Sequence, residues 1–317
     1  MNAPRAIAVS AALALPVLSV LSADVLAQPV ETRFGVSVGV RSDDTEWRTT
    51  GDPSNLNPGL QSSVTFDDLS SSSLIFDGEV IWADKIVMRG NFTTGGYNDG
   101  ESTQSDFLGG SEVSRLTASN DDSDFTDISV ALGYQFRLGP ATRVVPMVGY
   151  GLREQHLEMQ QGVQVLDPLG MAGGTGPVAG LNNKYDTEWR GAWMGLHVEH
   201  DASERVNGAR RLSLYARGEY HFGDYELEAD ENLRPEVKHP RSILQQANAN
   251  GMVLTVGGAY YLTNTMRVNA GWNYQDWSTD KGLETTFYAD GQEGAATLEE
   301  ANWDSNTVFV GIEYVNK

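Results

Sequence analysis

Residues 266–275 read MRVNAGWNYQ, and residues 302–314 read NWDSNTVFVGIEY. In the first stretch Met266, Val268, Ala270, Trp272 and Tyr274 share one parity, and Arg267, Asn269, Gly271, Asn273 and Gln275 the other. In the second, Val308, Val310, Ile312 and Tyr314 alternate with Thr307, Phe309, Gly311 and Glu313. Successive side chains of a strand point to opposite faces. Each ribbon therefore has an apolar side and a mostly polar side, which is what a strand standing between lipid and a polar lumen requires.

The same alternation recurs upstream. Strands are expected over Arg33–Arg41, Ser72–Ala83, Ile86–Tyr97, Thr126–Arg137, Arg143–Leu157, Glu188–Glu199, Arg211–Phe222, Ala249–Leu262, Thr265–Ser278 and Asn302–Tyr314. The predicted fold is all-β: a ten-stranded, antiparallel, up-and-down transmembrane β-barrel. Short turns at Asp84-Lys85, Gly139-Pro140 and Thr263-Asn264 contrast with long connections after the odd-numbered strands. Such asymmetry suits an outer-membrane barrel with five long extracellular loops and both termini periplasmic. A soluble barrel would leave unexplained the outward parity of Trp82, Tyr134, Phe136, Tyr260 and Tyr274, which suits interfacial girdles.

The N-terminus fits this destination. Arg5 precedes an apolar run from Ala6 to Val20, and the small residues Ala23 and Ala27 frame a cleavage site. Residues 1–27 read as a signal peptide, leaving 28–317 as the barrel. The mature part has no apolar stretch of helix-spanning length, so strands must do the spanning. There is no cysteine, so no disulfide staples an exported chain. The net charge of −21 and the lack of a basic patch argue against a nucleic-acid partner. Outer-membrane lipid, the barrel-assembly machinery and small solutes are the partners expected. At the carboxyl end Tyr314 suits the aromatic signal that this machinery reads, although Asn316 stands where a final Phe is expected.

Several segments carry a more specific likeness. They are Asn232-Leu233-Arg234, His239-Pro240-Arg241-Ser242-Ile243, Gly251, Tyr274-Gln275-Asp276-Trp277-Ser278-Thr279 with Gly282, Tyr288 with Asp290-Gly291, and Asn302-Trp303-Asp304-Ser305. The chain from Tyr220 onward resembles a group of omptin-like outer-membrane porins named after Protochlamydia. Upstream, Trp189-Arg190-Gly191-Ala192-Trp193-Met194-Gly195 and Ser123-Asp124-Phe125 resemble strands of the omptin superfamily. The resemblance implies a ten-stranded barrel, in agreement with the independent strand count.

Omptins proper are proteases, with an acidic pair facing an Asp-x-His pair across the barrel mouth. By that resemblance Asp99 and Glu101 occupy the place of the acidic pair, and Asp230-Glu231-Asn232 the place of Asp-x-His. The third residue is Asn, so the base is missing. His239 lies seven residues further on, before Pro240, and does not inherit the role by spacing. Asp99, Glu101 and Asp230 are therefore weak catalytic candidates, and no enzyme activity is expected. No metal or cofactor is expected either: Asn120-Asp121-Asp122-Ser123-Asp124 lacks the Gly and distal Glu of a calcium loop.

Inside the barrel, parity places Asp77, Glu79, Arg89, Arg217, Glu219, His221 and Arg267 on the lumen. Buried charges need partners, so these form a network of opposite signs. Three functional readings follow. The first is a narrow passive channel for small solutes, or a structural barrel lined by those charges. The second is an omptin-like surface hydrolase with a degenerate site, and the third a surface ligand-binding protein or adhesin.

Overall fold

The computed structural model describes residues 30–51, 59–120, 122–170, 172–202 and 212–316. The expected signal peptide, Asp121 and Arg211 lie outside the described residues. Among the described residues every regular element is a strand: β1 (Val30–Thr50), β2 (Leu60–Trp82), β3 (Ile86–Leu108), β4 (Ser111–Ser119), β5 (Asp124–Tyr134), β6 (Phe136–Leu138), β7 (Thr142–Leu166), β8 (Gly176–Pro177), β9 (Asn182–Asp201), β10 (Leu212–Asp230), β11 (Ile243–Tyr261), β12 (Met266–Thr279), β13 (Gly282–Phe287) and β14 (Glu293–Asn316). All pair antiparallel, each long strand with its neighbours in the chain, and β1 pairs with β14 as well as β2.

These fourteen segments fall into ten staves. β4 and β5 lie end to end between β3 and β7, and β6 continues beside β7. β12 and β13 likewise share the place between β11 and β14, while β8 prolongs the line of β9 along β7. The expected count of ten is that of the staves. The short turns and both ends of the described chain gather at one end, where Val30 pairs with Trp82 and Thr32 with Asn316.

The strands run further than expected at the opposite end. β3 continues to Leu108, β7 to Leu166 and β10 to Asp230, while β2 starts at Leu60 and β14 at Glu293. β4 and β13 lie wholly within stretches expected as loop. The reason is visible along β10. From Leu212 to Phe222 the outward residues are Leu212, Leu214, Ala216, Gly218, Tyr220 and Phe222, with Ser213, Tyr215, Arg217, Glu219 and His221 facing in. From there Asp224, Glu226 and Glu228 face out, and Tyr225, Leu227 and Ala229 are buried. Alternation is unbroken, but its polarity inverts. A search for apolar-outward strands stops where the inversion begins.

The inversion divides the barrel by height. The lower part carries an outward apolar belt, rimmed by Phe34, Tyr134, Phe136, Tyr260 and Tyr314 at one edge and Phe92, Tyr150, Tyr220 and Phe222 at the other. Ten residue steps at ~3.4 Å, tilted by ~40°, make such a belt roughly 26 Å tall, the height a bilayer core demands. The upper part is built like a water-soluble protein, with an apolar interior inside a polar wall. We refer to it as the tower.

Candidate functional site

The interior is arranged in layers, starting from the short-turn end. Lowest is a charge cluster. Arg33 pairs with Glu199 at 2.8 Å, Arg143 with Glu79 at 2.7 Å and with Glu199 at 2.6 Å. Arg267 bridges Glu199 at 3.0 Å and Glu313 at 2.7 Å. Glu199 thus serves three guanidinium groups from three strands. Buried charges persist when each is met by an opposite charge in good geometry, and this cluster meets that demand.

Above it lies a chamber of about 90 Å³ whose lining includes Asp77, Arg89, Asp127, Arg153, Arg217 and Glu219. Arg89 reaches Asp77 at 3.3 Å, and Glu219 accepts from His221 Nε2 at 3.1 Å. Arg41, on the chamber's upper edge, pairs with Asp43 at 2.7 Å and Asp127 at 2.8 Å, and stacks 3.6 Å from the Phe125 ring centre. Tyr97 donates its hydroxyl to the same Asp43 carboxylate.

An aromatic layer forms the ceiling. Trp277 stacks on Trp303 with ring centres 6.1 Å apart, and Trp189 packs on both. Trp47, Phe66, Tyr185 and Tyr225 continue this core upward, every ring at most 4% exposed. Some of these rings lie flat on the wall because the opposing residue is glycine. Trp277 faces Gly251, and a Cβ there would overlap its ring; Trp193 and Gly149 are related in the same way.

The connection between β10 and β11 forms a strap at the top of the tower, tied to the elements on both sides. Asn232 ties it to one side: its side chain accepts from Asn182 N at 2.8 Å and donates to Gly180 O at 2.7 Å. Its own amide donates to Asn183 Oδ1 at 3.0 Å. On the other side Lys238 N donates to Phe287 O at 2.8 Å and Ala289 N to Glu236 O at 2.9 Å. Within the strap Val237 is buried.

Of the residues read from parity, Asp77, Arg89, Arg217 and Glu219 line the chamber, Glu79 and Arg267 line the smaller cavity below it, and His221 is buried beside Glu219. The catalytic candidates are not brought together. Asp99 and Glu101 are exposed on the outer wall, in a groove with Asp67 and Asp68. Asp230 does meet His239, at 2.5 Å between Oδ1 and Nδ1, because the strap folds back on itself. Sequence spacing had set this pair aside. The other ring nitrogen, Nε2, lies 3.2 Å from the Arg234 carbonyl. With acceptors at both nitrogens the ring favours the imidazolium form, and the Asp230 hydrogen bond raises its pKa above the usual value. Such a ring braces the strap and offers no free lone pair to a substrate.

Parity reading missed Arg33, Arg41, Asp127, Arg143, Arg153 and Glu199, all turned inward. Their signal was available, since Arg143 and Glu199 occupy the inward parity of strands whose outward residues are Val148, Met194 and Leu196.

A family model described as Protochlamydia outer membrane protein matches residues 35–315. No curated protein matches the sequence. Among solved structures, the outer membrane protease OmpT from Escherichia coli superposes with a TM-score of 0.70 at 14% identity, covering 90% of this chain and 97% of that one. At that identity the likeness speaks for the fold alone. The toluene transporter TodX from Pseudomonas putida matches with a TM-score of 0.33 at 9% identity, over 90% of this chain and 89% of that one, too low to carry an argument.

Proposed function

Since the chain belongs to the Protochlamydia outer membrane protein family and is an outer-membrane β-barrel, we propose that it is a non-conducting barrel whose working surface is the tower. The bilayer-height part anchors it. In the proposed orientation the tower stands outside the cell, and the short turns and both termini face the periplasm.

One observation carries this reading: the bore above the polar chamber is filled by Trp47, Phe66, Tyr185, Trp189, Tyr225, Trp277 and Trp303. Close-packed apolar interiors admit neither water nor ions. A narrow ten-stranded bore has no spare width around such side chains. The hydrolase reading gains no support, since Asp99 and Glu101 lie in an outer-wall groove that includes neither Asp230 nor His239, and both ring nitrogens of His239 are engaged. The tower's outer wall and loops remain as the surface on which a ligand would be met.

Planar-bilayer recording from the refolded protein tests this. Insertion is expected to give no conductance steps. Reproducible single-channel steps from the unaltered protein would refute it and restore the channel reading.

A further inference from the structure

The chamber beneath the tryptophan ceiling has a feature that conduction does not explain. Three buried atoms of its lining residues have no hydrogen-bond partner among the described residues: Arg153 Nη1, Arg217 Nε and Asp127 Oδ1. The remaining guanidinium groups around it have carboxylates to meet. Arg41 has Asp43 and Asp127, and Arg89 has Asp77. Arg217 shares Asp77 only at 3.9 Å.

Arg153 differs from all of these. It is 4% exposed, and among the described residues it makes no ion pair with a carboxylate. Its Nε donates to Gln275 Oε1 at 2.9 Å, and its guanidinium lies 4.8 Å from the Trp277 ring centre. The bare Nη1 arm lies across Gly151, in space that a Cβ there would fill. Directly opposite in the β5–β7 register stands Asp127. Its Oδ2 takes Arg41 at 2.8 Å and Gln275 at 3.4 Å, which leaves Oδ1.

The signs of these atoms define the ligand. A simple anion would suit Arg153 and Arg217 but would face the carboxylates of Asp127 and Glu219. A simple cation would meet the reverse conflict. A solute that carries both a carboxylate and an ammonium meets both signs of this lining. We propose that the chamber binds a small zwitterion of amino-acid type, with its carboxylate on Arg153 and Arg217 and its ammonium on Asp127. At ~10–15 Å³ per water, about 90 Å³ holds several waters or one solute of about glycine's size. The chamber shares Asp77, Arg89 and Arg217 with a smaller cavity of about 30 Å³ toward the short-turn end. A blind chamber can bind without conducting, so this inference does not depend on the conductance result.

Isothermal titration of the refolded protein with glycine, acetate, methylammonium and sodium chloride tests it. Glycine is expected to bind saturably and more tightly than the other three probes. Arg153→Met and Asp127→Asn are each expected to weaken glycine binding at least tenfold while keeping the gel mobility of the folded barrel. Asp127→Asn keeps the side-chain shape and decides the matter should Arg153→Met fail to fold. Three results would overturn the proposal: no saturable binding of glycine, binding of any single-charge probe as tight as that of glycine, or a glycine affinity unchanged by the substitutions.

Discussion

Replacing Glu284 by Gln should remove one pH-dependent contribution to the tower's stability. Glu284 stands on β13, 8% exposed, and its Oε2 accepts from Gln245 Nε2 at 2.7 Å. Burial pushes its carboxyl up from the ordinary 4.5 to about 7; Glu231 pushes the same way, and the Gln245 hydrogen bond and Arg234 oppose. The unfolded chain releases this proton near pH 4.5, whereas the folded tower keeps it until about 7. Between those values the folded state holds a proton that the unfolded state lacks, so stability falls as pH rises. The contribution is complete below pH 4.5 and lost once pH passes about 7. At ~1.36 kcal/mol for each pH unit between those values the loss is about 3 kcal/mol.

Urea unfolding of the refolded protein in lipid vesicles, followed by tryptophan fluorescence at pH 4.5 and pH 8, would measure this (both values chosen from the shift just given). The Glu284→Gln variant should match the unaltered protein at the lower pH and exceed it by ~3 kcal/mol at the higher. Parallel pH profiles for the two proteins would refute the reasoning, because the titrating group would then lie elsewhere.

Other perturbations test other layers. Arg41→Met should cost ~3–5 kcal/mol, because Asp43 and the Arg41-facing oxygen of Asp127 would be left buried without their cation; urea midpoints would show it. Gly251→Ala should destabilise by ~1–3 kcal/mol by forcing Trp277 off the wall and off Trp303, with a changed near-ultraviolet circular dichroism signal as the check. The raised His239 pKa means that its bond to Asp230 stabilises the strap fully below the unfolded value of 6.5, and that this is lost as pH rises through the folded value. Hydrogen exchange of the Lys238 and Ala289 amides should therefore quicken on raising the pH by more than intrinsic exchange does, and His239→Gln should remove that excess.

The lower half of the fold was legible because one rule governs it. Lipid on one side and charge on the other fix the parity of Val308, Val310 and Ile312 against Thr307 and Glu313, and that pattern survives in a single sequence. The tower was not legible for the same reason. At Asp43, Thr45 and Trp47 on one parity, and Asp44, Glu46 and Arg48 on the other, the apolar residue has moved to the inner face. A loop and an inverted strand look alike to a test that expects grease outside. Parity says nothing of how interior charges pair, since Arg33, Glu79, Arg143 and Glu199 meet across the bore from four different strands. The link between Asp230 and His239 was hidden because a strap's fold-back has no period to read.

The polarity flip along the strands also works as a depth gauge. Around the wall the outward residue changes within a step or two from Phe222 to Asp224 on β10, from Val40 to Asp44 on β1 and from Tyr274 to Asp276 on β12. Sinking the barrel by one such step would drive a ring of carboxylates into the lipid interface, and raising it would lift Tyr150 and Phe222 into water. Each residue contributes ~1 kcal/mol or less at that depth, but they act together and in both directions. The barrel is therefore held at one immersion. From Phe222 to Asp230 is eight residue steps, which puts the strap a fixed stand-off of roughly 20 Å above the upper aromatic rim.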